Sequence, residues 1–155
     1  MDKIASFTVD HTVLVPGLYL SRRDGSVTTL DLRFKKPNTG DLLTNAEMHS
    51  VEHVIATFLR NAPEKDAVIY FGPMGCQTGF YFLYDSAKLT DDAAIALVKR
   101  VFSDAAVYDG PMPGQSAEEC GNYRNLDVVL ARSCCAFYSQ LIRDWTCPQL
   151  AYPTK

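Results

Sequence analysis

Polar and apolar residues alternate through "VTTLDLRF" (27–34), with Leu30, Leu32 and Phe34 on one face and Asp31 and Arg33 on the other. A period of two predicts a strand with one buried face. The run "TVLVPGLYL" (12–20) precedes it, and the Asp24-Gly25 pair between them reads as a hairpin turn. Two more short runs rich in β-branched or aromatic residues, "DAVIYF" (66–71) and "TGFYFLY" (78–84), predict strands. They are separated by "GPMGCQ", whose glycines and proline mark a tight turn or loop.

Elsewhere the period lengthens. Thr44-x-x-Glu47 is a capping-box signature that opens a helix. At about 100° per residue, Met48, Val51, Val54, Ile55, Phe58 and Leu59 share one arc, and His49, Glu52, His53 and Ala56 share the opposite one. A second helix is expected over 90–103, with Asp91 and Asp92 near its positive end and Lys99 and Arg100 near its negative end. A third is expected over 125–144, where Leu126, Leu130, Cys134, Phe137 and Leu141 form an apolar stripe. Between these two lies the irregular segment "YDGPMPGQSAEECGNY", which contains Cys120. No repeat, low-complexity tract or linker interrupts the chain. The order of elements predicts one α+β domain over residues 1–155, with helices packed against a mostly antiparallel sheet.

Composition narrows the function classes. The 155 residues suffice for one well-buried domain. A net charge of −3 with scattered Lys and Arg gives no basic stripe, which argues against nucleic-acid binding. The N-terminal sequence lacks the pattern of a secretory signal. No apolar run approaches the roughly 18 residues of a membrane span. Five cysteines form no regular framework, so free thiols or metal ligands in a reducing cytoplasm are expected, without membrane association.

The chain has three histidines, and two stand one helical turn apart in His49-x-x-Glu52-His53. That spacing lets both imidazoles reach one metal ion while a carboxylate that is not a ligand handles protons, as in the inverted form of the zinc-peptidase motif. The plainer alternative is a pair of solvent-facing histidines. A catalytic metal usually has three protein ligands and an open position. Cys120, Cys76, His11 and several carboxylates are candidates for the third. Cys134 and Cys135 lie on the third helix and read as inert buried thiols, and Cys147 has no motif around it. Cys76 and Cys120 each sit in a glycine-flanked loop that can turn a sulfur toward a site.

Taken together, "SFTVDHT", "DLRFKKPN", "HSVEH", "GPMGCQTGFY" and "ECGNY" closely resemble the LuxS family, the S-ribosylhomocysteine lyases. The stretches come in the family's order and span residues 6 to about 123. The resemblance implies His49, His53 and Cys120 as metal ligands, Glu52 and Cys76 as acid/base residues, and Ser6, His11 and Arg33 as substrate contacts. It implies a homodimer with sites at the subunit interface. It also implies one divalent metal per subunit, ferrous iron first, with zinc or cobalt able to substitute. Tyr70-Phe71-Gly72 depart from the Asp-Ile-Ser of many members, which bears on the sugar pocket.

The implied substrate is S-ribosylhomocysteine, whose sulfur is not β to a carbonyl. The carbonyl must migrate from C1 to C3 before homocysteine can leave, and the other product, 4,5-dihydroxy-2,3-pentanedione, is the precursor of autoinducer-2 in quorum sensing. Returning homocysteine links the reaction to the methionine cycle. Each stage moves a proton beside a carbonyl, which suits a Lewis acid with two proton-carrying side chains. On this reading Cys76 takes carbon-bound protons early, and Glu52 shuttles protons between oxygens and serves the later steps. Two alternatives fit the motif alone: a metallopeptidase using Glu52 as base, and a non-enzymatic zinc domain with Cys76 as fourth ligand.

Overall fold

In the computed structural model, which describes residues 2–4 and 7–155, four strands and three α-helices share one hydrophobic core. Strands β1 (Gly17–Asp24), β2 (Val27–Arg33), β3 (Val68–Pro73) and β4 (Gly79–Asp85) form one antiparallel sheet in the order β1-β2-β4-β3. Helices α1 (Asn45–Asn61), α2 (Asp91–Ala106) and α3 (Val128–Leu141) complete the α+β domain. Among the described residues, no helix is long and apolar enough to cross a membrane.

β1 starts five residues later than its apolar run suggests. Pro16 lacks the N–H that a ladder needs, and residues 11–13 turn instead. The hairpin loop is Gly25-Ser26, because Asp24 still pairs with Val27. Gly25 takes φ +62°, which a two-residue hairpin with glycine in its first loop position requires.

The sheet presents two different faces. Leu30, Leu32, Phe80 and Phe82 lie on the helix side, and Leu30↔Phe82 and Leu32↔Phe80 are directly opposed. There Phe34, just past β2, stacks on Tyr138 of α3 at 4.2 Å and meets Phe80 at 5.0 Å. Phe102 of α2 packs on the same tyrosine at 4.9 Å. Such buried aromatic pairs stabilise beyond the area they cover.

The core face of α3 is rotated from the predicted stripe. Ala131, Cys134, Cys135 and Tyr138 are buried, followed by Ile142, whereas Phe137 is 52% exposed. The Tyr138 hydroxyl explains the choice, since it donates to the Gly17 carbonyl at 2.9 Å and so fixes the helix against β1. Burial lifts the Cys134 thiol to about 11 and pushes that of Cys135 higher still, as expected of inert core cysteines.

Alternation predicts a polar opposite face, yet Asp31 and Arg33 are 1% and 2% exposed. The C-terminal segment folds over them, with a 3₁₀ turn at Cys147–Leu150 followed by Tyr152.

Candidate metal centre and thiol pocket

Helix α1 carries the first half of the site. Its start is fixed reciprocally, with Glu47 N–H donating to Thr44 Oγ1 at 3.2 Å and Thr44 N–H donating to Glu47 Oε2 at 2.7 Å. Val51, Val54, Ile55 and Leu59 bury the opposite face, so His49, Glu52 and His53 stay half-buried on the outside. The two imidazoles meet edge to face at 4.6 Å. Cys120 arrives from the loop before α3, its Sγ 3.3 Å from His49 Nε2. One donor atom from each of His49, His53 and Cys120 lies within 4.8 Å of the other two.

The ring orientations suit metal binding. His53 Nδ1 donates to the Pro113 carbonyl at 2.9 Å, and His49 Nδ1 faces Asn125 Oδ1 at 2.5 Å. Asn125 is held in turn by donating to Asn45 Oδ1 at 2.6 Å. Anchoring Nδ1 fixes the tautomer and leaves the Nε2 lone pair for a cation. The Asn122 N–H points at Cys120 Sγ at 3.5 Å. Two neutral imidazoles and a thiolate are the donor set of a three-ligand catalytic site, so these residues fit a divalent metal.

Asn125, Pro113 and their neighbours were not identified from sequence, although Asn125 lies only five positions beyond Cys120. Gly114 is one such neighbour: it has φ +67°, and a Cβ there would come within 2.9 Å of His53 Nδ1. Ser50, buried on α1, accepts from the Asp127 N–H at 2.9 Å and so ties the start of α3 to the metal helix. Asn125→Ala is expected to weaken metal retention by about 10–100-fold, the usual loss when a histidine's orienting partner goes. Competition with a chromophoric chelator measures this, and unchanged retention would mean that Asn125 does not orient His49.

The second half of the site lies on the sheet. Cys76 is exposed in the β3–β4 loop. Gln77 beside it takes φ +61°, a strained position for a side-chain-bearing residue. Leu43 holds it there, its N–H donating to Gln77 O at 2.9 Å and its carbonyl accepting from Gln77 Nε2 at 3.1 Å. Cys76 Sγ lies 3.0 Å from Thr78 Oγ1 and 3.9 Å from Arg33 Nη1. Arg33 donates through Nη1 to Thr78 Oγ1 at 2.6 Å, and through Nε and Nη2 to Asp31 at 3.1 and 2.5 Å.

Arg33 and Cys76 line a cavity of about 320 Å³ together with His11, Asp31, Tyr81 and Tyr152. His11 is oriented by Nδ1 on the Val9 carbonyl at 2.9 Å. Ser6 lies outside the described residues. Glu52 and His49 line another cavity, with Asn45, Met48 and Asn122, and Pro73 is common to both. The predicted residues thus form two neighbouring groups: a metal-donor trio with Glu52, and Cys76 with Arg33 and His11.

Residues 4–146 match the family model described as S-Ribosylhomocysteinase (LuxS). The chain is 43% identical to the S-ribosylhomocysteine lyase of Finegoldia magna, with 99% of each chain covered. It is 42% identical to that of Desulfotalea psychrophila and 41% identical to that of Borreliella burgdorferi, covering 99% of this chain and all of each relative. The chain belongs to the LuxS family.

Proposed function

We propose that this protein cleaves the thioether of S-ribosylhomocysteine, giving homocysteine and 4,5-dihydroxy-2,3-pentanedione, the autoinducer-2 precursor. One observation carries the reading: a three-donor metal group with a non-ligand carboxylate beside it, in a chain that matches named lyases from end to end. The functional unit is the single domain 1–155. When bound at His49, His53 and Cys120, a divalent metal supplies a Lewis acid for the sugar oxygens. Ferrous iron is the assignment, with zinc or cobalt able to replace it, since two imidazoles and a thiolate suit all three.

The remaining work is proton transfer. In the first migrations Cys76 Sγ takes the proton from the sugar carbon next to the carbonyl and returns it to the former carbonyl carbon. Glu52 carries protons between the neighbouring oxygens, so that the carbonyl moves from C1 to C2 and then to C3. Removal of the C4 proton by Glu52 then drives the electron pair toward C5, the C5–S bond breaks, the sulfur leaves as homocysteine after protonation, and the remaining C4 enol takes a proton at C5 to give the dione. The sequence consumes no oxidant. Arg33, His11 and Ser6 are assigned to holding the substrate.

The reading includes a homodimer with each site at the subunit interface. Two features support it. Cys76 lines one cavity, and His49 with Glu52 lines another. The sheet face away from the helices also carries Tyr70, 51% exposed, beside half-buried Tyr81 and Leu83. Tyr70 folds over Gly72, so the departure at 70–72 places an aromatic ring on this face. Five unpaired thiols agree with a reducing cytoplasm. Neither alternative gains a supporting feature, and Cys76 stands outside the metal-donor group.

The test is thiol release from S-ribosylhomocysteine by anaerobically purified, ferrous-loaded protein. Release that stops on chelation and returns with added metal is the expected result. A folded, loaded protein that releases no thiol would sink the proposal.

A further inference from the structure

The family match ends at residue 146, and the segment after it is docked rather than loose. At its 3₁₀ turn Gln149 Oε1 accepts from the Thr146 N–H at 2.9 Å and from the Thr146 hydroxyl at 3.1 Å, and Leu150 is buried. The Cys147 thiol donates to Asp92 Oδ1 at 2.9 Å, which with burial lifts it to about 11. Beyond the turn, the Tyr152 ring stacks on Tyr19 at 5.1 Å, and its hydroxyl donates to Asp31 Oδ2 at 2.7 Å. Lys155 reaches Asp10, next to His11, at 3.1 Å. The segment therefore frames the cavity that holds Cys76.

A buried carboxylate needs its oxygens satisfied. Asp31 Oδ1 accepts from Arg33 Nε, and Oδ2 accepts from both Arg33 Nη2 and Tyr152. An unbroken chain of polar contacts follows: Tyr152 hydroxyl, Asp31 carboxylate, Arg33 guanidinium, Thr78 hydroxyl, Cys76 thiol. Because Thr78 Oγ1 accepts from Arg33, its own proton is free to point at the sulfur.

We propose that Tyr152 is a positioning residue for Cys76, acting through Asp31, Arg33 and Thr78. The inference rests on the reading of Cys76 as an acid/base residue. The tyrosine fixes the carboxylate, the carboxylate fixes the guanidinium, and the guanidinium with Thr78 fixes the sulfur. The C-terminal segment is thereby part of the active site, and substitutions there alter the chemistry without touching substrate.

Tyr152→Phe tests this, since it keeps the stacked ring and removes only the hydroxyl. Site-resolved mass spectrometry follows iodoacetamide alkylation of Cys76 at pH 7 in the metal-loaded protein, with Cys147 as internal control. Alkylation of Cys76 and kcat are both expected to fall about fivefold, the scale of one net hydrogen bond, with Tm little changed and with KM rising through Arg33, which is also assigned to the substrate. Unchanged Cys76 alkylation and kcat would overturn the proposal. So would faster alkylation with a lowered Tm, because the segment would then be only a cover. Alkylation needs no substrate, so it separates this inference from the lyase reading, which wild-type thiol release tests alone.

Discussion

Glu52→Gln is expected to lower homocysteine release by about 10²–10⁴-fold, the range for losing a positioned general acid/base. The amide keeps the shape and much of the polarity of the carboxyl but cannot accept a proton. Glu52 is not one of the three grouped donors, so metal content should match that of wild type. Its helix should also persist, because the capping box and the buried face of α1 do not involve residue 52. The decisive measurement is single-turnover thiol release with metal content determined on the same sample. Activity above a tenth of wild type in a fully loaded variant would transfer the proton work to another group.

The largest effect on stability is expected from Asp31→Ala. Its carboxylate and the Arg33 guanidinium are almost fully withdrawn from water. Removing one member leaves a buried charge without its partner, at about 3–5 kcal/mol. For a chain of this size that lowers Tm on the order of 10 °C. The double variant Asp31→Ala/Arg33→Met should recover part of this loss, since apolar replacements of both members are often tolerated. It should not recover activity, because Cys76 would lose the neighbours that hold it. Thermal unfolding of the three proteins decides the matter, and a Tm within about 2 °C of wild type for Asp31→Ala would show that the pair stabilises little.

Local signals made much of this fold legible. The Thr44 capping box and the Asp24-Gly25 pair are short-range chemistry, and each fell at or within one residue of its place. The His49–Glu52–His53 face followed from period alone. The start of β1 did not, because the apolar run at 12–15 resembles a strand until Pro16 breaks the ladder. The stripe on α3 departs from its period for another reason. Periodicity weighs Phe137 as a core residue, whereas the Tyr138 hydroxyl needs the buried Gly17 carbonyl and turns the helix accordingly.

Site residues divide in the same way. Cys120 could be suspected only as one of several third ligands, because the loop that brings it to His49 has no regular period. Asn125 and Pro113 act through single contacts that leave no pattern in the chain. Asp31 and Arg33 alternate as surface residues should, and they are buried because a tyrosine 121 positions later covers them. Among these residues, the family resemblance implies roles only for Cys120 and Arg33, and neither role follows from period or spacing.

The Cys120 loop is fastened to α1 on both sides, by His53 to Pro113 and by Ser50 to Asp127. Between those points Cys120 has little freedom left to lose, and Pro111 and Pro113 restrict the loop further even in the unfolded chain. A cation arriving at the trio therefore meets a sulfur already confined near its final position, and less of the binding energy goes to ordering the backbone. Affinity for a cation at this trio would in this sense be partly a property of loop entropy, set by residues outside the donor set.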